Sequence, residues 1–291
     1  MKNRIVKISI SVIVTVMMAM SVIAPCPSAV SAVARPEMHR SVSANAMPAK
    51  PSKKKYNTYR GRNATKIPIL AYHQIMSDER KNSSDNLNDR YIISTTNFEK
   101  QMKWLKKKHY RTISCEELYL WRKGEIRLPR RSVLITMDDG YSEGVENAYA
   151  ILSKYGFKAT VFVIGKYAVY GAPGKITYQR IRELQEIYPK LEFQSHTYDL
   201  HAGPYEYMNY TYDTIMQDAV QQRGLFGFDY LAYPYGKQKE EIINAYRDSG
   251  IKMAFLFGKN GYATRKQNIY KMKRIEVTGD MKYKRFKAWC K

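Results

Sequence analysis

Two adjacent carboxylates, Asp138 and Asp139, directly follow an apolar run that extends from Val133 to Met137. The run is apolar enough for a strand that is buried on both faces, and parallel α/β folds gather ligands and catalytic groups at the carboxyl ends of such strands. Neighbouring carboxylates repel each other, and a cation beside them offsets that cost. The pair therefore predicts either a cation site or an ordinary Asp-Gly turn with Gly140.

Two histidines, His196 and His201, follow a second strand candidate at 191 to 195. Residues five apart on a helix point roughly 140° apart, so both rings reach one ion only from a strand end and a turn, which Gly203 and Pro204 would suit. Together with Asp139 they would give two imidazoles and one carboxylate. That set binds Zn or a similar divalent ion and leaves positions open for water and substrate.

Four stretches of the chain stand out as motifs: Ile69-Leu-Ala-Tyr-His-Gln-Ile75, Ile135-Thr-Met-Asp-Asp-Gly-Tyr141 with residues 150 to 163, Ser195-His-Thr-Tyr-Asp-Leu-His201, and Tyr233-Pro-Tyr-Gly236. In this order they resemble the polysaccharide deacetylase (NodB-homology) family, carbohydrate esterase family 4. The likeness covers roughly residues 67 to 277, and the five-residue separation of the histidines is similar to the branch that includes poly-N-acetylglucosamine deacetylases of biofilm matrix.

The resemblance implies a division of labour among the acids and histidines. Asp139, His196 and His201 would bind the metal, with Zn first and Co or Ni as alternatives, while Asp138 would be the general base. This division suits an acetamide, which is a poor electrophile until a metal polarises its carbonyl and activates a water. A carboxylate that is not a ligand can then take the water's proton, and a backbone N–H near Tyr235 could help to hold the oxyanion.

The leaving amine needs a proton donor, and the five histidines of the chain leave one candidate. His39 lies in a basic segment outside the likeness, and His109 lies among lysines after an amphipathic helix. His73 follows the first strand candidate, which would bring it to the same rim as the two acids. Imidazole transfers protons near neutral pH, so we expect His73 to be the general acid, with a structural core histidine as the alternative.

The chain departs from the commoner family pattern at the partner of the base. Tyr233 precedes Pro234 where many members carry an Arg that orients the base, and Met137 stands where Phe is usual. No clear Leu-x-x-His motif occurs near the C-terminus. The orienting residue is thus open, and Arg274, at the last strand candidate, is the substitute that we consider.

Several tyrosines fall within the motif loops and could contact a sugar. Aromatic faces stack on the C–H faces of sugars, and the phenol can also form a hydrogen bond. Tyrosine is also common on loop surfaces, so this is an expectation, held most for Tyr198 and Tyr235. The candidates are Tyr141, Tyr198, Tyr233 and Tyr235.

The elements that would position these residues alternate along the chain. Short apolar, β-branched runs are separated by amphipathic segments, the pattern of strands joined by crossover helices. Helices are expected to begin at two capping boxes, Thr96 with Glu99 and Ser114 with Glu117. About 225 residues of such units predict an α/β fold with a single distorted (β/α) barrel, the NodB-type fold that the resemblance implies. Strands are expected at 67–72, 110–113, 132–137, 159–164, 191–195, 230–233, 253–257 and 270–277, and further helices at 143–155, 178–188, 212–223 and 240–249.

The N-terminal region reads as an export signal followed by a spacer. Three basic residues precede an uncharged apolar run from Ile8 to Ala24, and a small-residue cleavage site follows, so residues 1–34 are a signal peptide or an uncleaved membrane anchor. Residues 35–66 are rich in Pro, Ser, Ala and Lys and predict a disordered basic linker. Residues 67–291 would then be the deacetylase domain, secreted or held at the outer face of the membrane or in the cell wall.

The formal net charge of +23 is strongly basic, and +20 remains once the three charges of the signal are removed. Such a charge favours anionic surroundings, so we expect the linker to contact an anionic wall polymer or a membrane surface. No nucleic-acid-binding signature accompanies the charge, and we expect a monomer with no nucleic-acid partner. Outside the signal, Cys115 and Cys290 either form a disulfide or remain as buried or free thiols.

The function predicted is metal-dependent hydrolytic de-N-acetylation of N-acetylhexosamines in a cell-surface glycan, with acetate as a product. Poly-β-1,6-N-acetylglucosamine and peptidoglycan are the leading substrates. The alternative is a non-catalytic, basic wall-polymer-binding protein built on the same barrel. An extracellular nuclease or phosphodiesterase would use the same metal and charge, but the second ligand cluster of two-metal phosphoryl transfer is missing.

Overall fold

The computed structural model describes residues 59 to 291. The predicted signal segment, residues 1–34, and the predicted linker up to residue 58 lie outside the described residues. The disorder predicted for the linker is wrong at its described end, residues 59–66, because Asn63 bridges Pro129 and the buried Ala64 donates its N–H to the carbonyl oxygen of Leu128. Within the described part, no helix combines the length and the apolar character that a membrane crossing requires.

Seven parallel strands form a curled half-barrel. They are β2 (Ile69–Tyr72), β6 (Ser132–Met137), β7 (Ala159–Val163), β8 (Leu191–Ser195), β9 (Tyr230–Ala232), β10 (Met253–Phe255) and β12 (Ile275–Glu276). Their order in the sheet is β10, β9, β8, β7, β6, β2, β12. A short eighth strand, β5 (Arg111–Thr112), pairs with the first residues of β6, while β7 pairs with its last residues. The α/β class and the parallel sheet predicted from the sequence are confirmed.

At the two ends of this half-barrel, the described residues form an isolated bridge instead of a strand ladder. Met272, just before β12, bridges Phe255 of β10, and the chain then passes to β2, where Ile275 pairs with Leu70. The strand predicted at 270–277 is therefore mostly wrong, because this segment divides its hydrogen bonds between two strands instead of following one. The strand predicted at 67–72 is interrupted at Pro68, whose nitrogen carries no hydrogen for a ladder.

Both faces of the sheet are buried, which explains the continuous apolar runs of its strands. On β6, Val133, Ile135 and Met137 belong to the largest core cluster, which also takes in the apolar faces of α2 (Thr95–Lys107) and α4 (Ser142–Tyr155). Leu134 points the other way, into a second cluster. Burial on both faces fixes the register of β6, and with it the direction of the residues that follow the strand.

The remaining helices follow the strands as expected of crossover connections. The longer ones lie within a residue or a few of the predicted bounds, and they are α3 (Cys115–Lys123), α6 (Tyr178–Ile187), α8 (Tyr212–Phe226) and α9 (Glu240–Asp248). Sequence reasoning missed the shorter ones, which are α1 (Asp78–Lys81), α5 (Gly165–Tyr170), α7 (Pro204–Asn209) and α10 (Tyr283–Trp289).

One of the two predicted capping boxes is confirmed and the other is wrong. At α3, the Ser114 hydroxyl accepts from the Glu117 N–H and the Glu117 carboxylate accepts from the Ser114 N–H. At α2 the cap is Ser94, whose hydroxyl accepts from the N–H of Asn97. The helix begins at Thr95, so Thr96 lies inside it, and the Thr96 N–H that Glu99 would accept in the predicted box donates to Asp78 instead.

A small two-stranded parallel unit lies beside the half-barrel and was not predicted. Strand β3 (Gln74–Met76) pairs with β4 (Ile92–Ser94), and the polar segment between them includes α1. A second small pair joins β1 (Lys66–Ile67) to β11 (Ala263–Thr264) in antiparallel register. The β3–β4 unit matters for function because its residues help to line the cleft described below.

Of the three cysteines of the chain, the two within the described residues, Cys115 and Cys290, are free thiols and both are buried. Cys115 opens α3 in the second core cluster, whereas Cys290 belongs to the largest one. Burial raises the pKa of Cys115 well above its usual value and that of Cys290 to about 12. Of the two alternatives for these residues, the structure has the buried thiols, and the disulfide is wrong.

Candidate active site

A cleft of about 440 Å³ opens where the parallel strands end. The two predicted acids follow β6, and the predicted pair of histidines follows β8. His73 follows β2, and Tyr233 follows β9. Because parallel strands end at one edge of the sheet, residues far apart in sequence meet there. The cleft is lined by His73, Gln74, Met76, Asn86, Asp89, Tyr91, Ile92, Asp138, Asp139, Tyr141, His196, His201, Tyr233, Tyr235 and Phe257.

Asp139, His196 and His201 form the one group of three or more acids, histidines or cysteines that could hold a metal among the described residues. The Asp139 Oδ1 lies 3.3 Å from Nε2 of His196 and 3.5 Å from Nε2 of His201. Ligands about 2.1 Å from a tetrahedral Zn would be roughly 3.4 Å apart. The spacing and the donor types therefore fit a divalent ion.

Hydrogen bonds on the far side of each imidazole orient the rings. The Nδ1 of His196 lies 2.8 Å from the carbonyl oxygen of Ala232, so it carries the hydrogen and Nε2 faces Asp139. The Nδ1 of His201 lies 3.1 Å from the hydroxyl of Tyr235. Partners of this kind fix the tautomer and direction of metal-binding histidines.

The charges of the group reinforce one another. Burial raises the pKa of Asp139, but the hydrogen bond and charge of His196, together with the charges of His73 and Lys175, outweigh it and hold the pKa below its usual range. Burial lowers the pKa of His196, yet the carboxylates of Asp139 and Asp138 raise it above the ordinary value. Burial and the nearby His196 lower the pKa of His201 to about 4. Asp139 is therefore ionised and His201 neutral near pH 7, the states in which both can be ligands.

Arg274 holds Asp138 through two parallel hydrogen bonds. The distances from its terminal nitrogens to the two carboxylate oxygens are 2.7 and 2.6 Å, and both side chains are almost fully buried. Arg274 is itself fixed by the carbonyl oxygen of Leu256 and the hydroxyl of Thr136. Burial raises the pKa of Asp138, but the charge and hydrogen bonds of Arg274 lower it below its usual value. The structure thus brings the orienting candidate onto the predicted base.

Backbone strain is concentrated at this site. Four non-glycine residues among the described ones have positive φ, and three of them are Asp139 (71°), Thr197 (72°) and Tyr235 (58°). Such conformations cost about 1–3 kcal/mol each and persist where the surroundings enforce them. Asp139 is a candidate ligand, Thr197 follows one, and Tyr235 contacts one. The strain lies where side chains must be aimed at the cleft.

Asp218 on α8 supports the loop between the two histidines, and sequence reasoning missed it. Its carboxylate oxygens accept from the N–H groups of Tyr198 and Asp199 at 2.8 and 2.7 Å. Burial raises its pKa to about 6. A signal was available in the sequence, since Asp218 lies on the same helical face as the apolar Ile215 and Ala219, where an acid needs a buried partner.

The four predicted sugar-contacting tyrosines have different surroundings. Tyr141, Tyr233 and Tyr235 line the cleft, although Tyr233 is fully buried with its ring 5.9 Å from that of Tyr246. Tyr198 is buried and does not line the cleft, and its ring lies against Gly165. The structure therefore brings three of the four tyrosines to the predicted metal group and leaves Tyr198 apart.

His73 lies in the cleft between two aromatic rings. Its ring centre is 5.0 Å from that of Tyr91 and 4.8 Å from that of Phe257. Burial lowers its pKa, although the charges of Asp138 and Asp139 act in the opposite direction. The two aromatic neighbours come from the β3–β4 unit and from the end of β10, and no motif in the sequence indicated them.

Comparison with known proteins gives a consistent result. Residues 125–254 match the family model for polysaccharide deacetylase. The poly-beta-1,6-N-acetyl-D-glucosamine N-deacetylase of Staphylococcus aureus is 30% identical over 272 residues, which cover 84% of this chain and 88% of that protein.

Solved structures with a similar fold include the Streptococcus pyogenes deacetylase PplD in complex with acetate. It has a TM-score of 0.66 and 23% identity, and the match covers 78% of this chain and 99% of that one. IcaB from Ammonifex degensii has a TM-score of 0.62 and 21% identity, with coverage of 78% and 98%. At these identities the likeness concerns the fold.

Proposed function

The chain belongs to the polysaccharide deacetylase family and is a hydrolase of carbon–nitrogen bonds other than peptide bonds, and on that premise we propose how it acts and on what. The substrate is an N-acetylhexosamine polymer outside the cell, with poly-β-1,6-N-acetylglucosamine first and peptidoglycan second. The observation that carries the proposal is the ionised Asp138, held by Arg274 beside the group of Asp139, His196 and His201. A module that only binds glycans has no use for that arrangement.

A divalent ion held by Asp139, His196 and His201, with Zn first and Co or Ni as alternatives, would polarise the acetyl carbonyl and activate water. Asp138 takes a proton from the attacking water as the new carbon–oxygen bond forms. Arg274 keeps both oxygens of Asp138 aligned and the carboxylate ionised. A backbone N–H in the region of Tyr235 is our candidate donor to the oxyanion.

The second half of the reaction breaks the carbon–nitrogen bond. The amine cannot leave as an anion, so a proton must reach its nitrogen as the bond breaks. His73 is our candidate for that donor, because it lines the same cleft as Asp138. Its lowered pKa makes the protonated imidazole a stronger acid, which donates its proton more readily. The products are acetate and a hexosamine with a free amine.

Tyr141 and Tyr235 are our candidates for sugar contacts at the mouth of this centre. Both line the cleft and both are partly exposed, so their ring faces can meet the C–H faces of a sugar. Tyr235 also contacts His201 through its hydroxyl, which gives it a share in holding the ligand. Tyr233 offers less, since its ring is fully buried.

We place the reaction outside the cytoplasm, with residues 1–34 as signal or anchor, 35–66 as linker and 67–291 as the catalytic domain. The basic linker would contact an anionic wall polymer or membrane surface, and the protein would act as a monomer. The name of the Staphylococcus aureus relative supports a polymer of N-acetylglucosamine as the substrate. The formal net charge of +23 supports anionic surroundings such as a wall polymer or a membrane surface.

Acetate release by the full-length protein tests this function. Poly-β-1,6-N-acetylglucosamine, peptidoglycan and chitin oligomers would be supplied after removal of metals by a chelator, with Zn, Co or Ni then restored. We expect release that requires the metal and is fastest with the β-1,6 polymer. Bound metal without release from any of these glycans would favour a wall-binding protein instead.

A further inference from the structure

The cleft continues well past the candidate metal ligands. One end is formed by the acids and histidines at the strand ends, and the other by the β3–β4 unit with the segment between its strands. We call this second end the outer cleft. It consists of Met76, Asn86, Asp89, Tyr91 and Ile92. None of these residues has a part in the reaction described above, yet they enclose the same cavity.

Aromatic rings connect the outer cleft to the catalytic centre. Tyr91 lies 5.0 Å from His73 and 6.1 Å from Phe257 between ring centres, and His73 and Phe257 are 4.8 Å apart. The three rings form one wall. Tyr91 is 43% exposed, which leaves ring surface open to a ligand. A sugar next to the reacting one would find a stacking surface here.

Asp89 is the one charged residue of the outer cleft. Its Oδ1 accepts from the N–H of Tyr91 at 2.8 Å, which orients the carboxylate. Lys81 donates to the backbone carbonyl of Asp89, not to its carboxylate. Among residues 59 to 291, no ion pair involves the Asp89 carboxylate. The guanidinium of the neighbouring Arg90 pairs with Glu276 instead.

The charge of the cleft is opposite to that of the chain. The formal net charge is +23, yet three carboxylates and no lysine or arginine line the cavity. Arg274 balances Asp138, and Asp139 is a candidate ligand, which leaves Asp89 with its charge available. Burial, Asp139 and Asp89 together raise the pKa of Tyr141 to about 12, so both acids act on the same region of the cleft.

The product of deacetylation supplies the complementary charge. The amine of a hexosamine is flanked by C–O bonds and is less basic than a lysine amine, closer to an α-amino group with a pKa of about 7.7–8.0, so a substantial fraction is protonated at neutral pH. A chain that has already lost one acetyl group therefore presents a cation next to acetylated units. An exposed carboxylate beside an aromatic wall suits such a unit, whereas a fully acetylated unit offers Asp89 no charge.

Building on the proposed function, we propose that the outer cleft binds the sugar next to the reacting one, and that Asp89 favours a neighbour whose amine is already free. Deacetylation would then occur preferentially beside earlier deacetylated units. The free amines would cluster along the polymer. Asp89 is thus a specificity residue for the pattern of deacetylation and takes no part in bond breaking.

Two hexosamine oligomers of equal length test this inference with the full-length protein. One is fully acetylated, and the other carries a free amine on one internal unit. We expect kcat/KM for acetate release to be about 1.5- to 5-fold higher for the second, the range of an exposed ion pair. In Asp89→Asn the ratio of the two kcat/KM values should fall to about one, and 0.5 M NaCl should lower the wild-type ratio.

Asp85→Asn is the matched control, because Asp85 is an exposed acid of the same segment and does not line the cleft. Its carboxylate accepts a hydrogen bond from the hydroxyl of the adjacent Ser84. It should keep the wild-type ratio. Equal ratios in wild type and Asp89→Asn would overturn the inference.

Direct binding of the two oligomers, measured by calorimetry in the same series, separates this inference from the proposed function. If wild type releases no acetate from either oligomer, the function fails. The role of Asp89 would still be supported if wild type binds the amine-bearing oligomer more tightly than the fully acetylated one and Asp89→Asn does not. Equal binding of both oligomers by wild type would refute its role.

Discussion

Arg274 determines whether Asp138 can accept a proton. A carboxylate buried this deeply would by itself be pushed towards its neutral form. The guanidinium at 2.6–2.7 Å contributes most to reversing that effect, and the charges of His196 and His73 act in the same direction. A buried pair of this kind contributes little net stability, but loss of one partner leaves an uncompensated charge. The pair is therefore better understood as a device for keeping a base ionised and aligned.

Replacing Arg274 by Met should move the acid limb of the pH–rate profile upward. In wild type the pKa of Asp138 lies below its unfolded value, so the pair stabilises the fold above about pH 4, and this is lost as the pH falls through the folded pKa. Without Arg274, burial raises that pKa, and stability at pH 7 should fall by about 3–5 kcal/mol. Profiles of kcat/KM and urea unfolding check both effects.

Arg223→Met is the control for this change, because Arg223 pairs with Asp229 away from the cleft. It should lower stability without moving the acid limb. An unchanged acid limb in Arg274→Met would show that Asp138 does not depend on this partner for its charge.

His73 can be tested against a second histidine of the same chain. His73→Asn should lower kcat by about 10²- to 10⁴-fold, the usual loss when a general acid is removed. His109→Asn should leave kcat unchanged, since His109 lies outside the cleft and Asn tolerates its positive φ of 56°. A normal kcat in His73→Asn would leave His73 as a structural residue of the aromatic wall.

The sequence could identify these residues because their chemistry is local. Asp138 and Asp139 end an apolar run, and His196 and His201 follow a strand candidate, so residue type and position marked them as candidates. Asp218 carried only the weaker signal of an acid on an apolar helical face, and Asp89 carried none. Their partners, the N–H groups of Tyr198 and Asp199 and the outer cleft, are supplied by the fold.

At the scale of elements, the loop from His196 to His201 is the critical piece. It carries two candidate ligands five residues apart, which the positive φ of Thr197 helps to bring together. Asp218 on α8 holds this loop by its backbone. The helix α8 thereby fixes the geometry of the predicted metal group through the loop backbone, although none of its side chains lines the cleft.

Asp218→Asn should weaken metal binding. Asn can accept one of the two N–H groups but presents a donor to the other, so the loop loses one bond and gains a repulsive contact. We expect the affinity for Zn or Co to fall about 10- to 100-fold, as for other residues that support metal ligands. Titration of the metal-free protein measures it.

Asp213→Asn, an exposed acid on the same helix, should leave the affinity within twofold. Equal affinities in the Asp218 and Asp213 variants would mean that the loop holds its shape without Asp218.

Long elements were predictable, whereas the short ones outside the main sheet were not. The strand β6 and the helices α4 and α8 carry enough apolar residues for their periodicity to be read. The strands β3 and β4 have three residues each, too few for any period, and their pairing depends on the surrounding fold. This gap mattered, because the outer cleft is built largely from that unit.

At the scale of the molecule, charge is distributed unevenly between the two edges of the sheet. The acidic cleft lies at the carboxyl ends of the strands. At the opposite edge, a cation opens β5 and another stands directly before each of β6, β7 and β8, namely Arg111, Arg131, Lys158 and Lys190. Arg111 and Lys158 share the carboxylate of Glu117, which leaves a net positive charge among these residues. A polyanion attracted to that edge would leave the cleft accessible to the glycan.

Retention on an anionic polymer should therefore depend on salt. The full-length protein should bind a polymer with phosphate groups in 50 mM NaCl and be released in 0.5 M, because the screening length falls from above 10 Å to a few ångströms. A neutral glycan column of equal chain length provides the control. Retention that persists in 0.5 M NaCl would argue against an electrostatic contact with the wall.

The central claim is that Asp138 acts as a base beside a metal that other residues hold. Acetate release and bound metal, measured together in wild type and Asp138→Asn, test it most directly. We predict that the variant keeps about one metal ion per chain and loses at least 10²-fold in kcat. Release at the wild-type rate, or loss of the metal with the activity, would contradict it.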